Sequence, residues 1–229
     1  GLFAYIAYKF FGRNAGILLG GILGGAISST ATAVSYSRQA KNDPNAGRIA
    51  SIVIMIASTI VFIRVLAEIA VVSQEFLLVA APPVLILAGF GLVPSLAIWF
   101  RARTEPSKMP EQGNPTQLKS ALTFAALYAA MLFAMAATNH YVGDQGLYFV
   151  AAFSGATDMD AVTITISKMA KDDPAVMATG WRLIIIGAMS NLVFKASIIG
   201  VLGGKQLFKR IVILFSIPMV GGLLLLLFY

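Results

Sequence analysis

A chain of 229 residues that is 58% hydrophobic and 12% charged carries about half the charge of a soluble domain, where roughly a quarter of residues are ionisable. Its formal net charge of +7 comes without a basic run interleaved with aromatics, so it belongs to loops flanking a membrane rather than to a nucleic-acid footprint. With no cysteine and one histidine, His140, disulfides, thiolate metal sites and cysteine nucleophiles are excluded.

Residues 14–37, 76–100, 120–143 and 211–229 contain no Asp, Glu, Lys or Arg. Apolar runs of about 18 residues or more are long enough to cross a bilayer as helices. The expected class is an all-α polytopic membrane protein whose first partner is the lipid bilayer.

The opening "GLFAYIAYKFFGRN" is too short to span and lacks a signal-peptide pattern; it reads as the tail of a truncated helix. Residues 14–41 pass from "GILLGGILGGA" into "ISSTATAVSYSRQAK". Residues 46–74 form a hydrophobic helix carrying Arg64 and Glu68 at local i, i+4 spacing. A helix over 76–103 should kink at Pro82-Pro83. "RTEPSKMPEQGNPTQ" is the long polar linker, and segments 118–143, 144–171, 175–203 and 205–229 follow. Lys205, Lys209 and Arg210 read as an interfacial charge belt.

"GAISSTATAVSYSRQAKNDP" (25–44) aligns without gaps on "GATDMDAVTITISKMAKDDP" (155–174), and "STIVF" (58–62) on "SNLVF" (190–194). Fixed-offset self-similarity marks an internal repeat. The expected organisation is a first membrane repeat over 1–103, a linker over 104–117 and a second repeat over 118–229. Each copy holds about four hydrophobic helices, one of them broken or re-entrant. Basic residues near 38–48, 101–119 and 168–174 favour parallel copies with those loops cytoplasmic. A re-entrant hairpin in each copy would instead invert them.

"GGILGGAISSTATAVSYSRQAK", "GLYFVAAFSGATDMDAVTITISKMA" and "MSNLVFKASI", in this order and spacing, resemble the bacterial membrane domain of unknown function 4010. That domain commonly follows an MgtC-type membrane domain. The resemblance implies a multi-pass protein of the bacterial inner membrane and an MgtC-like portion upstream of Gly1. It hints at cation physiology and leaves function otherwise open.

Asp158 and Asp160 stand out in this apolar setting. Two residues apart, they would point about 200° from each other on an intact helix, leaving one carboxylate against lipid or a neighbouring helix at a cost of ~2.5–3.5 kcal/mol or more. A break permitted by Gly155 removes that conflict. At the duplicated position Asp158 aligns with Ser28 and Asp160 with Thr30. Paired discontinuous helices at repeat interfaces are where many transporters bind ions.

Candidate ion-path residues are therefore Asp158, Asp160, Thr157, Ser28, Ser29, Thr30, Thr32 and Asn191, with Arg64 and Lys195 as charge partners. Asp158 and Asp160 are the candidate ligands for a hard cation. No cofactor is expected beyond such an ion. Close packing through small residues is the rival account of the serine-threonine passage. The function expected first is a transporter or channel-like protein for a small inorganic ion, cation or proton favoured over anion, with its site at the interface of the repeats. The alternative is a non-transporting regulatory or partner-binding module whose buried charges are structural. A homo-oligomer is compatible with either. Neither a catalytic serine set nor a phosphate-binding loop is present, so an enzyme is not expected.

Overall fold

In hydrocarbon every backbone N–H and C=O must be satisfied within its own segment, which makes helices of the long apolar runs. The structure, a computed structural model, describes residues 2–43, 46–102 and 146–229. The linker over 104–117 and the segment expected at 118–143 lie outside the described residues. Those residues form α1 (Leu2–Asn42), α2 (Gly47–Val72), α3 (Gln74–Ala102), α4 (Gly146–Thr157), α5 (Met159–Asp172), α6 (Pro174–Leu202) and α7 (Gly204–Phe228). Among the described residues, five stretches are long and apolar enough to cross a membrane: Asn14–Asn42, Gly47–Val72, Gln74–Arg101, Pro174–Leu202 and Gly204–Phe228. The described residues are all helical, and the chain is a membrane protein.

Local chemistry explains where helices stop. Ser73 alone separates α2 from α3, and its Oγ accepts the Phe76 N–H at 3.3 Å, satisfying a donor at the start of α3. Asp173 does the same for α6, accepting the Ala175 N–H at 2.8 Å, with Pro174 in the first helical position where it loses no hydrogen bond. Gly204, at φ +78°, lets α7 begin directly after α6. The pair Pro82-Pro83 leaves α3 continuous.

The chain divides into two units, one of residues 1–61, 89–121 and 195–217, the other of 62–88, 122–194 and 218–229. In the first unit, α1 turns back on itself. Residues eight apart on a straight helix are separated by about 12 Å, yet a Cβ at Gly24 would stand 2.5 Å from Thr32 Oγ1. The arm before this turn runs parallel to α2: Gly21 faces Val53 and Ile56, and Gly25 faces Ala57 and Ile60. The arm after it leads into the start of α2.

The same unit fixes the course of α6. Lys195 Nζ reaches Ser58 Oγ at 3.5 Å, Gly203 lies against Ser37, and a Cβ at Gly47 would meet the Arg210 guanidinium at 3.7 Å. The end of α6 thus sits where α1 ends and α2 begins, and α2 and α6 run antiparallel there. Of the basic cluster in α7, Arg210 falls beside Gly47 at the start of α2.

In the second unit, α4 and α5 also double back. Gly187 of α6 touches the Ala151 carbonyl, Gly155 and Met159, while Gly180 meets Ile166. Higher up, Asn191 reaches Gly155 and Ala156. So α4 runs parallel to α6 and α5 antiparallel to it.

Candidate functional site

The turn between α4 and α5 is made by one residue. Asp158 is extended, at φ −144° and ψ 99°, so the helical ladder stops at Thr157 and restarts at Met159. Its Oδ1 accepts the N–H groups of Asp160 at 3.0 Å and Ala161 at 3.2 Å, the arrangement that makes aspartate a strong N-cap. The break also frees the last carbonyls of α4. Asn191, 5% exposed, donates its Nδ2 to the carbonyl oxygens of both Gly155 and Ala156 at 3.0 Å. Buried carbonyls left without a donor would be costly, so Asn191 is what allows the turn to sit inside protein. Close approach at this point requires glycine: a Cβ on Gly155 would run into the Gly187 backbone.

Charge gathers on the α5 side of the turn. Asp160 pairs with the guanidinium of Arg64 from α2, whose Nε stands 3.8 Å from Glu68 Oε1. Arg64 therefore serves two carboxylates. The second oxygen of Glu68, Oε2, is buried and has no hydrogen-bond partner among the described residues. With Asp158 the local set among the described residues is three carboxylates and one guanidinium, two carboxylates in excess.

Residues 1–203 match the family described as "Domain of unknown function (DUF4010)". The chain belongs to this family. An "Uncharacterized protein" of Aquifex aeolicus (strain VF5) is 24% identical to this DUF4010 chain over 201 residues, which covers 83% of the chain and 84% of that relative. No solved structure matches it.

Of the residues anticipated from sequence, Asp158, Asp160, Thr157, Asn191 and Arg64 come together in the second unit of this DUF4010 domain. Thr157 Oγ1 donates to the Ser154 carbonyl at 3.1 Å, closing the last turn of α4. Ser28, Ser29, Thr30, Thr32 and Lys195 belong to the first unit. There Ser28 Oγ accepts the Ala31 N–H at 3.2 Å, and Thr32 Oγ1 donates to the Ser28 carbonyl at 2.9 Å. Lys195, 1% exposed, has Ser58 as its hydrogen-bonded neighbour in that unit. As for a metal, Asp158 and Asp160 point to separate partners, and no group of three or more His, Cys, Asp or Glu suited to holding a metal ion occurs among the described residues.

Three contributors escaped sequence reasoning. Glu68 looked like a purely local helix partner of Arg64, and only the fold shows that Arg64 is shared with Asp160. Gly187 gave a legible signal, standing four residues before Asn191 on the same helix face. Ser58 lay at the head of the repeated "STIVF", opposite Ser190 in the second copy, yet it is Lys195 that it meets.

Proposed function

We propose that this protein moves a small inorganic ion, a cation or proton, through the inner membrane, and that its fold is a pair of inverted repeats each containing a re-entrant hairpin. One observation carries the reading. The stretches 14–42 and 146–172, which contain the aligned segments 25–44 and 155–174, both double back at a glycine packed on the following helix. In each, the first arm is parallel to that helix and the second antiparallel. The following helices, α2 and α6, run in opposite senses. Inverted repeats with helix ends inside the membrane are a recurrent transporter design, and such ends persist only where protein or water surrounds them.

Charge supports an orientation. The helix ends in the first unit carry Arg38, Lys41, Arg48, Arg101, Lys205, Lys209 and Arg210 against Asp43, so they face the cytoplasm under the positive-inside bias. The cation preference rests on the carboxylate excess around Arg64 and on the buried Glu68 Oε2, which offers an acceptor to a proton or a hard cation. An arriving cation would compete with Arg64 for Asp160.

The Arg64–Asp160 pair also favours a second reading, a non-transporting module in which these charges hold α5 to α2. Flux of Mg²⁺, Na⁺, K⁺ and H⁺ into proteoliposomes separates the two. We expect flux for one of these ions, abolished by Asp160→Asn and by Glu68→Gln in protein that still inserts and elutes as wild type. Absence of flux for every ion, with Asp160→Asn merely less stable, would sink the transport reading.

A further inference from the structure

Of the carboxylate oxygens in the second unit's charged set, most are already engaged. Asp158 Oδ1 accepts two backbone N–H groups as the cap of α5. Asp160 Oδ1 pairs with the Arg64 guanidinium, and Glu68 Oε1 stands 3.8 Å from Arg64 Nε. Glu68 Oε2 differs, being buried without a hydrogen-bond partner among the described residues. We propose, building on the transport reading above, that the ion moved is a proton and that Glu68 binds it beside Arg64 and Asp160.

Coordination number separates a proton from a metal here. One open acceptor oxygen is enough for a proton, whereas Mg²⁺ or Ca²⁺ takes about six oxygen ligands or more. A metal ion would also have to settle against the Arg64 guanidinium, cation beside cation. A proton adds to a single oxygen and removes a charge instead.

Charge balance points the same way. Arg64, Asp160 and Glu68 together are one negative charge in excess. The charged groups that act on Glu68 are Asp160, Arg64 and Asp158, and Asp158 is exposed. The Asp160 carboxyl lies within hydrogen-bonding reach of Glu68, yet two ionised carboxylates have no hydrogen to share and repel each other. With a proton on Glu68, that carboxyl donates to Asp160, and Asp160 keeps Arg64. When the proton leaves, Arg64 serves both carboxylates. The Glu68 side chain is 20% exposed, so its carboxyl is not sealed from a proton donor.

Labelling of the full chain in detergent with dicyclohexylcarbodiimide, an apolar reagent that attacks protonated carboxyls, tests this. The carboxyl proton passes to a carbodiimide nitrogen and the carboxyl oxygen bonds to the central carbon. An acyl shift to nitrogen then fixes the adduct with no atom lost, and mass spectrometry counts and locates it. Wild-type protein near neutral pH should gain one label, on Glu68, at an initial rate that falls as pH rises. Asp160→Asn leaves Arg64 to Glu68 alone and should slow labelling about ten-fold. Arg64→Gln should speed it by a similar factor, and these opposite signs keep the test readable if Glu68→Gln fails to insert. Glu75→Gln removes an exposed carboxylate of α3 and should change nothing. In proteoliposomes under a pH gradient, proton flux should be present and Glu68→Gln should abolish it. Absence of label on Glu68, or equal rates in Asp160→Asn and Arg64→Gln, would overturn the proposal. Flux of Na⁺, K⁺ or Mg²⁺ without proton movement would overturn it as well while leaving the transport reading intact. A labelled Glu68 with no flux of any ion would sink the transport reading itself, and with it the proton's passage.

Discussion

The two turn-backs reach one geometry by different chemistry. In α1 the bend between Gly24 and Thr32 uses neutral hydroxyls, with Ser28 and Thr32 bonding to backbone within the bend. Between α4 and α5 the helix breaks outright at Asp158, and two carboxylates, a cap and an arginine partner are needed to settle it. Each turn rests on a glycine pressed against the next helix, Gly25 on α2 and Gly155 on α6. Since the first turn forms without any charge, the fold does not demand Asp158 and Asp160. Their presence in the second turn is an addition to a working design, and intramembrane carboxylates are expensive enough that an addition calls for a use.

The sharpest way to break this comparison is at the glycines. Gly155→Ala places a methyl on the Gly187 backbone, and Gly25→Ala places one 2.5 Å from the Ala57 carbonyl. Neither neighbour is a flexible side-chain tip, so each substitution should cost about 3 kcal/mol or more, at or beyond the usual overpacking range. Gly89→Ala, with nothing within 4 Å, should be neutral or gain up to about 1 kcal/mol of helix propensity. Denaturation in mixed micelles reads all three. A tolerated Gly155→Ala beside a ruinous Gly25→Ala would mean that the two turns are not the same device.

Next in size is Arg64. Arg64→Gln leaves Asp160 and Glu68 without their shared cation, and partial exposure of the pair, 24% and 38%, reduces the cost to about 2 kcal/mol. Arg64→Gln/Asp160→Asn should recover much of that loss while flux stays absent. If the double variant restores flux together with stability, the charges are structural.

The bend in α1 can be tested by coupling. Gly24→Ala should cost about 1–2 kcal/mol by driving a methyl into Thr32, and Thr32→Ala should relieve most of it. Strict additivity of the two changes, as for residues more than 7–10 Å apart, would show that α1 is straight.

How far the sequence disclosed this arrangement can be judged residue by residue. Helix positions and the all-helical membrane class were legible because apolar length is local information. The break near Asp158 was legible too, since two charges two residues apart cannot share one helix face. Loop charge suggested parallel copies, but it could not show that Gly203 lies beside Ser37, nor that Gly24 comes close to Thr32. Arg64 and Lys195 were both anticipated as charge partners for Asp158 and Asp160, yet that Arg64 is the one that meets Asp160, its sharing with Glu68 and the Asn191 bridge to two carbonyls depend on tertiary packing.

The smallest expected effect divides the two jobs of Asp158. As an N-cap it bonds two backbone N–H groups, and asparagine caps about as well as aspartate. Asp158→Ala should therefore cost about 1 kcal/mol, and Asp158→Asn only a few tenths. Ser28→Ala, at the aligned position of α1, should cost about 0.5 kcal/mol, since its hydroxyl accepts one local N–H at the exposed side of the bend. The asparagine variant keeps the turn and removes one charge. A fall in ion flux with unchanged unfolding would then assign the second carboxylate of the turn to attracting the cation, whereas unchanged flux would reduce Asp158 to a cap and leave Asp160 and Glu68 to carry the charge excess.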